Sequence, residues 1–351
     1  MKLLLGDCLD KLKELDDNSV DSIVTDPPYG LSFMGKKWDY DVPSTEIWEE
    51  CIRVLKPGGH LLSFGGSRTY HRMAVRIEDA GFEIRDQIMW VYGSGFPKSM
   101  NIGIQVDKKL DNQREVVGEK VRGDVEKAKE NGAGYLADPA NRNNTKQFGY
   151  GTHTITKGNS DWEGWGTALK PAHEPIVMAR KPIVGTVANN VLEYGVGGLN
   201  IDGTRVGETG ARNNGNKNGT KDSNSIGYYK PTQKVDYGMG RFPANIIFDE
   251  EAGKILDEQS GISKSSVGSG DKSMGALGKN GKYGNYALDV KAANLGGLGD
   301  TGGASRFFYC PKTSKSDRSE GNIHPTVKPT DLMGYLIRLV TPKGGVVLDP
   351  F

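Results

Sequence analysis

The four residues Asp26-Pro27-Pro28-Tyr29 combine a carboxylate, a rigid diproline and an aromatic ring in one short stretch. The Asp26 carboxylate and the Pro27 carbonyl are acceptors whose positions the prolines restrict, and the Tyr29 ring offers a face for a planar group. Such a set suits a planar amine: acceptors for its N–H groups localise the nitrogen lone pair, and no covalent nucleophile is required. The same residues also read as an ordinary strand-ending turn, since Asp and Pro are common in turns, and taken alone the two readings stand level.

The elements around them must place this stretch at a ligand edge. Ile23 and Val24 favour a buried strand over residues 21–25, and the prolines forbid its continuation. The carboxyl end of a strand is where an open α/β sheet puts its ligands. Residues 2–5 read as an earlier buried strand and residues 8–15 as a helix on Leu9, Leu12 and Leu15. Asp7, between them, is either a second acid at the sheet edge or a helix N-cap. A helix over 45–55, a strand over 60–64, a helix over 67–80 and a strand over 82–92 follow. Residues 102–110 read as a helix and 174–183 as a core strand. Further on come ordered pieces at 187–194, 199–206 and 245–248, a helix over 249–259, a short strand over 306–309, and a helix with Thr330 as its N-cap. A last strand, 346–348, ends at Asp349-Pro350-Phe351.

Composition narrows the class. The 351 residues suffice for a full core, and 45 basic against 44 acidic residues give a net charge of +1, so any case for a polyanion rests on local patches. The 49 glycines point to much loop. Cys8, Cys51 and Cys310 form no CxxC pair, which suggests neither a zinc site nor a disulfide framework. No stretch approaches the 18 apolar residues of a membrane span. A soluble protein of a reducing cytoplasm is the expectation, with no membrane partner and no metal. The run Gly268-Ser269-Gly270-Asp271-Lys272-Ser273 imitates a phosphate loop but lacks the glycine before the lysine and a preceding strand.

Three regions are expected: a core over 1–183 with a polar excursion at about 111–160, a loop-rich insertion over 184–305, and a return to the core over 306–351. Within the insertion Arg205, Arg212, Lys217, Lys221, Lys230, Lys234 and Arg241 interleave with Tyr228, Tyr229 and Tyr237. That pattern fits a segment ordering on a polyanion, with free disorder as the alternative.

Taken in order, Gly6-Asp7, Asp26-Pro27-Pro28-Tyr29, His324-Pro325-Thr326-Val327-Lys328-Pro329 and Leu348-Asp349-Pro350-Phe351 resemble the motifs of the DNA amino-methyltransferases. The resemblance is to the permuted class, bacterial or phage-encoded, in which the catalytic motif precedes the cofactor motif. It implies a Rossmann-like α/β methyltransferase fold with a large insertion, and S-adenosylmethionine as cofactor. It makes Asp26, Pro27, Pro28 and Tyr29 catalytic. Asp7, His324, Pro325, Thr326, Lys328, Asp349, Pro350 and Phe351 become cofactor-binding. In the family the last motif runs on into a glycine-rich turn that does not follow Phe351, so the resemblance makes this chain a C-terminal truncation.

The expected activity is methylation of an exocyclic amine on a flipped base in double-stranded DNA, adenine rather than cytosine because Asp leads the tetrapeptide. Cytosine-N4, RNA or glutamine methylation, and DNA binding without catalysis, are the alternatives. A homodimer and a cognate restriction nuclease, or none, are the partners considered.

Overall fold

In the computed structural model, residues 2–31, 39–95, 99–122, 151–207, 240–264, 300–311 and 327–351 are described. In chain order they form α1 (Cys8–Lys13), β1 (Val20–Thr25), α2 (Thr45–Val54), β2 (Leu55–Phe64), α3 (Tyr70–Asp79), β3 (Glu83–Val91), α4 (Ile102–Leu110), β4 (Glu115–Arg122) and β5 (Gly151–Lys157). Then come β6 (His173–Arg180), α5 (Val187–Tyr194), β7 (Ile246–Phe248), α6 (Glu250–Ser260), β8 (Ser263–Lys264), β9 (Thr301–Gly302), α7 (Thr330–Val340) and β10 (Val347–Leu348). Two compact units result: Met1–Ser94 with Ala172–Phe351, and Gly95–Pro171.

The larger unit is built on a six-stranded sheet in the order β10-β1-β2-β6-β3-β7. Every neighbouring pair is parallel except those of β6, which runs antiparallel to both β2 and β3. Period-two alternation assigns the sheet's two faces. Ile23, Leu61, Val177 and Ala179 pack under α1, α2 and α3 with Leu12, Trp48, Cys51, Met73 and Ile77. Val24, Leu62, Ile176 and Met178 turn the other way, onto Leu332, Tyr335, Leu336 and Leu339 of α7. This is a Rossmann-like α/β fold, open and covered on both faces, as expected.

The single reversed strand decides which side chains can meet. Parallel strands β1, β2 and β3 deliver their carboxyl ends to one edge, and a strand of opposite direction delivers its amino end there. The start of β6 therefore shares an edge with the ends of β1, β2 and β3. Next to β1, β10 is fastened by the Val346 N–H to Asp21 Oδ2 (2.7 Å) and by Ser22 Oγ to Thr341 Oγ1 (2.7 Å).

Three sequence expectations are corrected. Residues 2–5 form no strand, and Leu3 and Leu5 are 81% and 98% exposed. A strand needs a partner, and both edges of β1 are taken by β10 and β2. Residues 306–309 are not a strand: a 3-10 turn, Ala304–Phe307, precedes a single bridge from Tyr309 to Ile247. Thr330 is the first helical residue of α7, with Pro329 in the cap position. A proline there supplies no capping side chain but a backbone already suited to the turn into the helix.

The smaller unit carries α4 and the β4–β5 hairpin. Arg114 organises it, pairing with Glu163 at 2.9 Å, with buried Asp107, and with the Thr156 carbonyl at 3.1 Å. Among the described residues no helix is long and apolar enough to cross a membrane, and no His/Cys/Asp/Glu group could hold a metal.

His60 of β2, 3% exposed and opposite Arg180 in β6, has no partner for its Nδ1. Burial, then Arg180 and Arg85, push its pKa down from 6.5 to about 4. Since the folded state resists protonation, the stability contribution is full above pH 6.5 and is lost as pH falls toward 4, roughly 3 kcal/mol in all. Urea unfolding of His60→Leu should show a flatter dependence between pH 7 and 4 than the parent; parallel curves would remove this role.

Candidate active site

The turn that presents the tetrapeptide has a local cause. At the end of β1, Pro27 and Pro28 stop the strand, and Gly30 turns the chain with φ +66°. A Cβ at Gly30 would lie 2.8 Å from the Val42 nitrogen, so the close approach of two backbones requires glycine there. The turn is clamped by one buried carboxylate. Asp39 Oδ1 accepts the N–H groups of Tyr29 and Gly30, each at 2.8 Å, and Oδ2 accepts that of Leu31 at 3.2 Å. Hydrogen bonds to an ionised acceptor are the stronger kind, and three from one residue leave the turn little freedom.

Four side chains then converge at the sheet edge: Asp26 and Tyr29 from this turn, Glu174 from the amino end of β6, and Lys328 from just before α7. The Tyr29 hydroxyl lies 2.7 Å from Asp26 Oδ1 and 3.0 Å from Glu174 Oε2. Lys328 Nζ donates to Asp26 Oδ2 at 2.8 Å and to Tyr29 Oη at 3.1 Å, and pairs with Glu174 Oε2 at 3.1 Å. Three acceptors thus surround an ammonium with three N–H bonds. Its side chain is 11% exposed, against 32% for Asp26 and 22% for Glu174.

Aromatic rings line the cation. Lys328 Nζ stands 4.9 Å from the Phe64 centroid, 5.5 Å from Tyr29 and 5.9 Å from Trp90. Phe64 ends β2, and Trp90 faces Glu174 across the β3–β6 ladder. The ring quadrupoles favour the charge that burial would otherwise penalise. With Lys328 charged and both carboxylates ionised, the cluster carries one net negative charge. The Tyr29 phenol is pushed far up, by burial first and then by Glu174 and Asp26, so it stays protonated. Tyr92, just past the end of β3, is raised to about 12 by burial and then by Glu174.

The other expected positions fall around this cluster. Pro27 is buried and Pro28 half-buried in the turn. Asp349, which follows β10, accepts Thr25 Oγ1–H at 2.6 Å. Its carboxyl is raised by the crowding of protein around it and by Asp26, against that hydrogen bond, although its side chain keeps contact with solvent. Pro350 is half-buried, and the Phe351 ring meets Trp48 at 5.9 Å. Asp7 is exposed, and its carboxylate caps α1 by accepting the Leu9 N–H at 3.0 Å. His324, Pro325 and Thr326 lie outside the described residues.

Glu174 and Asp39 escaped the sequence reading. The signal for Glu174 was present, as a carboxylate opening a strong apolar run, but its meaning depends on the direction of β6. An open pocket of about 280 Å³ lined by Gly30, Leu31, Arg68, Thr69 and Arg72 adjoins the turn.

If Asp39 is the clamp, Asp39→Ala leaves three backbone donors without their acceptor. Amide exchange at Tyr29, Gly30 and Leu31 should then accelerate at least tenfold while the β2 amides keep their protection; unchanged exchange at those three would refute the clamp.

Comparison with known proteins gives the family. The chain is similar to the type II methyltransferase M.HpaI of Haemophilus parainfluenzae, 35% identical over 109 residues that cover 28% of this chain and 34% of that one. It is also similar to M.HindIII of Haemophilus influenzae, 23% identical over 241 residues, 56% of this chain and 63% of that one. The chain thus spans from about a third to under two thirds of the length of these relatives. A solved M1.HpyAVI–SAM complex aligns over 52% of this chain and 53% of its own at 16% identity, with a TM-score of 0.25, too partial a superposition to bear on function. The DNA methylase family model N6_N4_Mtase matches residues 20–351, from the first strand of the sheet to the last residue, and the chain belongs to that family.

Proposed function

We propose that this site moves a methyl group from S-adenosylmethionine to the exocyclic amino group of a base in double-stranded DNA, adenine in preference to cytosine. The observation that carries the reading is the Asp26 carboxylate held beside the Tyr29 ring, at the carboxyl end of β1, in a cluster of net negative charge.

A base amine is a poor nucleophile because its lone pair is delocalised into the ring. Asp26, accepting an N–H, localises that pair, and the restricted Pro27 carbonyl is a second acceptor for it. In the resting site the Tyr29 hydroxyl already occupies Asp26 Oδ1. An incoming amine shares that oxygen, which has two lone pairs, with the phenol, and Lys328, bound to Oδ2, keeps the carboxylate in place. Inside a duplex the amine is out of reach, so the base must leave its stack at a cost of a few kcal/mol, roughly; stacking on an aromatic face contributes about 1–3 kcal/mol in return. The paired Arg68 and Arg72 beside the turn suit a flanking phosphate.

The residues present fit the cofactor. A sulfonium is a cation, and the excess carboxylate charge of the cluster, with Asp349 at the neighbouring strand end, favours it. Asp349 and Lys328 are the described side chains that would hold it. When bound, it supplies an electrophilic methyl group. Relatives named type II methyltransferases support a role in DNA modification, with a bacterial cytoplasm as its setting and a restriction nuclease as counterpart.

The test is transfer of labelled methyl to duplex DNA followed by nucleoside analysis. N6-methyladenine is the expected product. Methylcytosine would overturn the base preference, and unlabelled DNA would overturn the reading. Asp26→Ala should lower single-turnover transfer at saturating cofactor by at least about a hundredfold; retained transfer would refute the role given to that carboxylate.

A further inference from the structure

Methyl transfer to an amine leaves a proton to be placed. A primary amine that gains a methyl group and ends neutral must give up one N–H proton. Asp26 is nearest to that bond, but Lys328 already balances one carboxylate of the cluster, and a proton left on Asp26 would weaken the site's acceptor for the next turnover. The second carboxylate, Glu174, also pairs with Lys328, at 3.1 Å, but it is not needed as the acceptor that localises the amine's lone pair. Glu174 Oε2 lies 3.0 Å from the Tyr29 hydroxyl, which itself lies 2.7 Å from Asp26 Oδ1, so carboxylate, phenol and carboxylate form a continuous chain. Its outer end, Glu174, retains contact with solvent at 22% exposure.

Resting on the methyl-transfer reading, we propose that Glu174 is the terminal proton acceptor of this site, reached from the target amine through Asp26 and the hydroxyl of Tyr29. The nitrogen lone pair forms the new N–C bond, and the donor's C–S bond breaks with its pair left on sulfur. The N–H bond then breaks with its pair left on nitrogen, and its proton passes to Asp26 Oδ1. Tyr29 gives its hydroxyl proton to Glu174 Oε2 and takes the one from Asp26, so the phenol and Asp26 return to their starting states and Glu174 alone is protonated. Glu174 then discharges to water. Net charge closes as well: the cluster begins at minus one, the donor loses its positive charge, and the cluster ends neutral until that discharge.

Among the described residues, the charged and titratable groups facing Glu174 are Lys328 before α7, Asp26 and Tyr29 after β1, and Tyr92 just past β3, with His173 beside it on its own strand. Among the described residues, Lys328 Nζ and the Tyr29 hydroxyl each lie within hydrogen-bond distance of both carboxylates; Lys328 is their shared cation, and the hydroxyl, at once donor and acceptor, can relay a proton between them. Glu174 does not touch the reacting atoms in this scheme; it is a positioning and proton-accepting residue behind Tyr29.

Glu174→Gln keeps the shape and a hydrogen bond to Tyr29 but cannot accept the proton. In single-turnover transfer on duplex DNA the expected result is a loss of about a hundredfold at pH 7. The gap to the parent should narrow as pH rises to 9, and formate should partly restore Glu174→Ala. Fluorescence of 2-aminopurine at the target position should report the same base extrusion in parent and variant. In the protein alone, tyrosine-ring carbon NMR with Tyr29 assigned by Tyr29→Phe should show its phenol titrating at lower pH in Glu174→Gln. Equal transfer rates would overturn the proposal, as would a slow variant with a pH-independent gap and no formate rescue, which marks a structural role. An unmoved Tyr29 titration would also overturn it. Absence of transfer in the parent would remove the methyl-transfer reading and this step with it, a failure distinct from any seen only in the variants.

Discussion

The site depends on one ammonium group. Lys328 Nζ sits between two carboxylates and a phenol, beneath three aromatic rings, donating to Asp26 and Tyr29 and ion-paired with Glu174. Without it, Asp26 and Glu174 would be like charges facing one another through a single hydroxyl at the edge of a protein interior, an arrangement that favours protonating one of them. A protonated Asp26 would be a weaker acceptor. The cation thus offsets the repulsion between the two carboxylates, and its position is set by α7, whose Leu332 and Leu336 are fully buried against β1 and β2.

The fold supplies the second carboxylate by reversing one strand. Had β6 run parallel to its neighbours, its first residues would lie at the opposite edge, and Glu174 would be remote from Asp26. Instead the antiparallel insertion between β2 and β3 brings an amino end among carboxyl ends. The β10–β1 pair brings Asp349 beside Thr25 and Asp26 in the same way, by adjacency of parallel strand ends. Sequence distances of 145 and 302 residues, from Tyr29 to Glu174 and from Asp26 to Lys328, are closed by sheet order and by the packing of α7 on the sheet.

How much of the site could be read from residues depends on how local each cause is. The tetrapeptide, the strand before it and the helices α2, α4 and α7 were legible because apolar period, proline and glycine act within a few residues. Residues 2–5 misled because Leu3-Leu4-Leu5 has the composition of a buried strand but no neighbour to pair with. Glu174 was hidden because strand direction is a tertiary property: a carboxylate at a strand start is unremarkable until the strand is known to run backwards. Asp39 was hidden for a similar reason, since about ten residues of chain separate it from the amides it clamps. Asp7 shows the converse case, where the local reading as a helix cap describes what its carboxylate does.

The claim that Lys328 exists to reconcile two carboxylates is tested most directly by a double-mutant cycle in urea unfolding. Lys328→Met should lower stability by roughly 2 kcal/mol, below the value for a fully buried pair because both acids keep some solvent contact. Adding Glu174→Gln, which removes one of the repelling charges, should then restore most of that loss, giving a coupling of at least about 1 kcal/mol. Additive effects of the two substitutions, or a stability indifferent to Lys328→Met, would contradict that role for the cation.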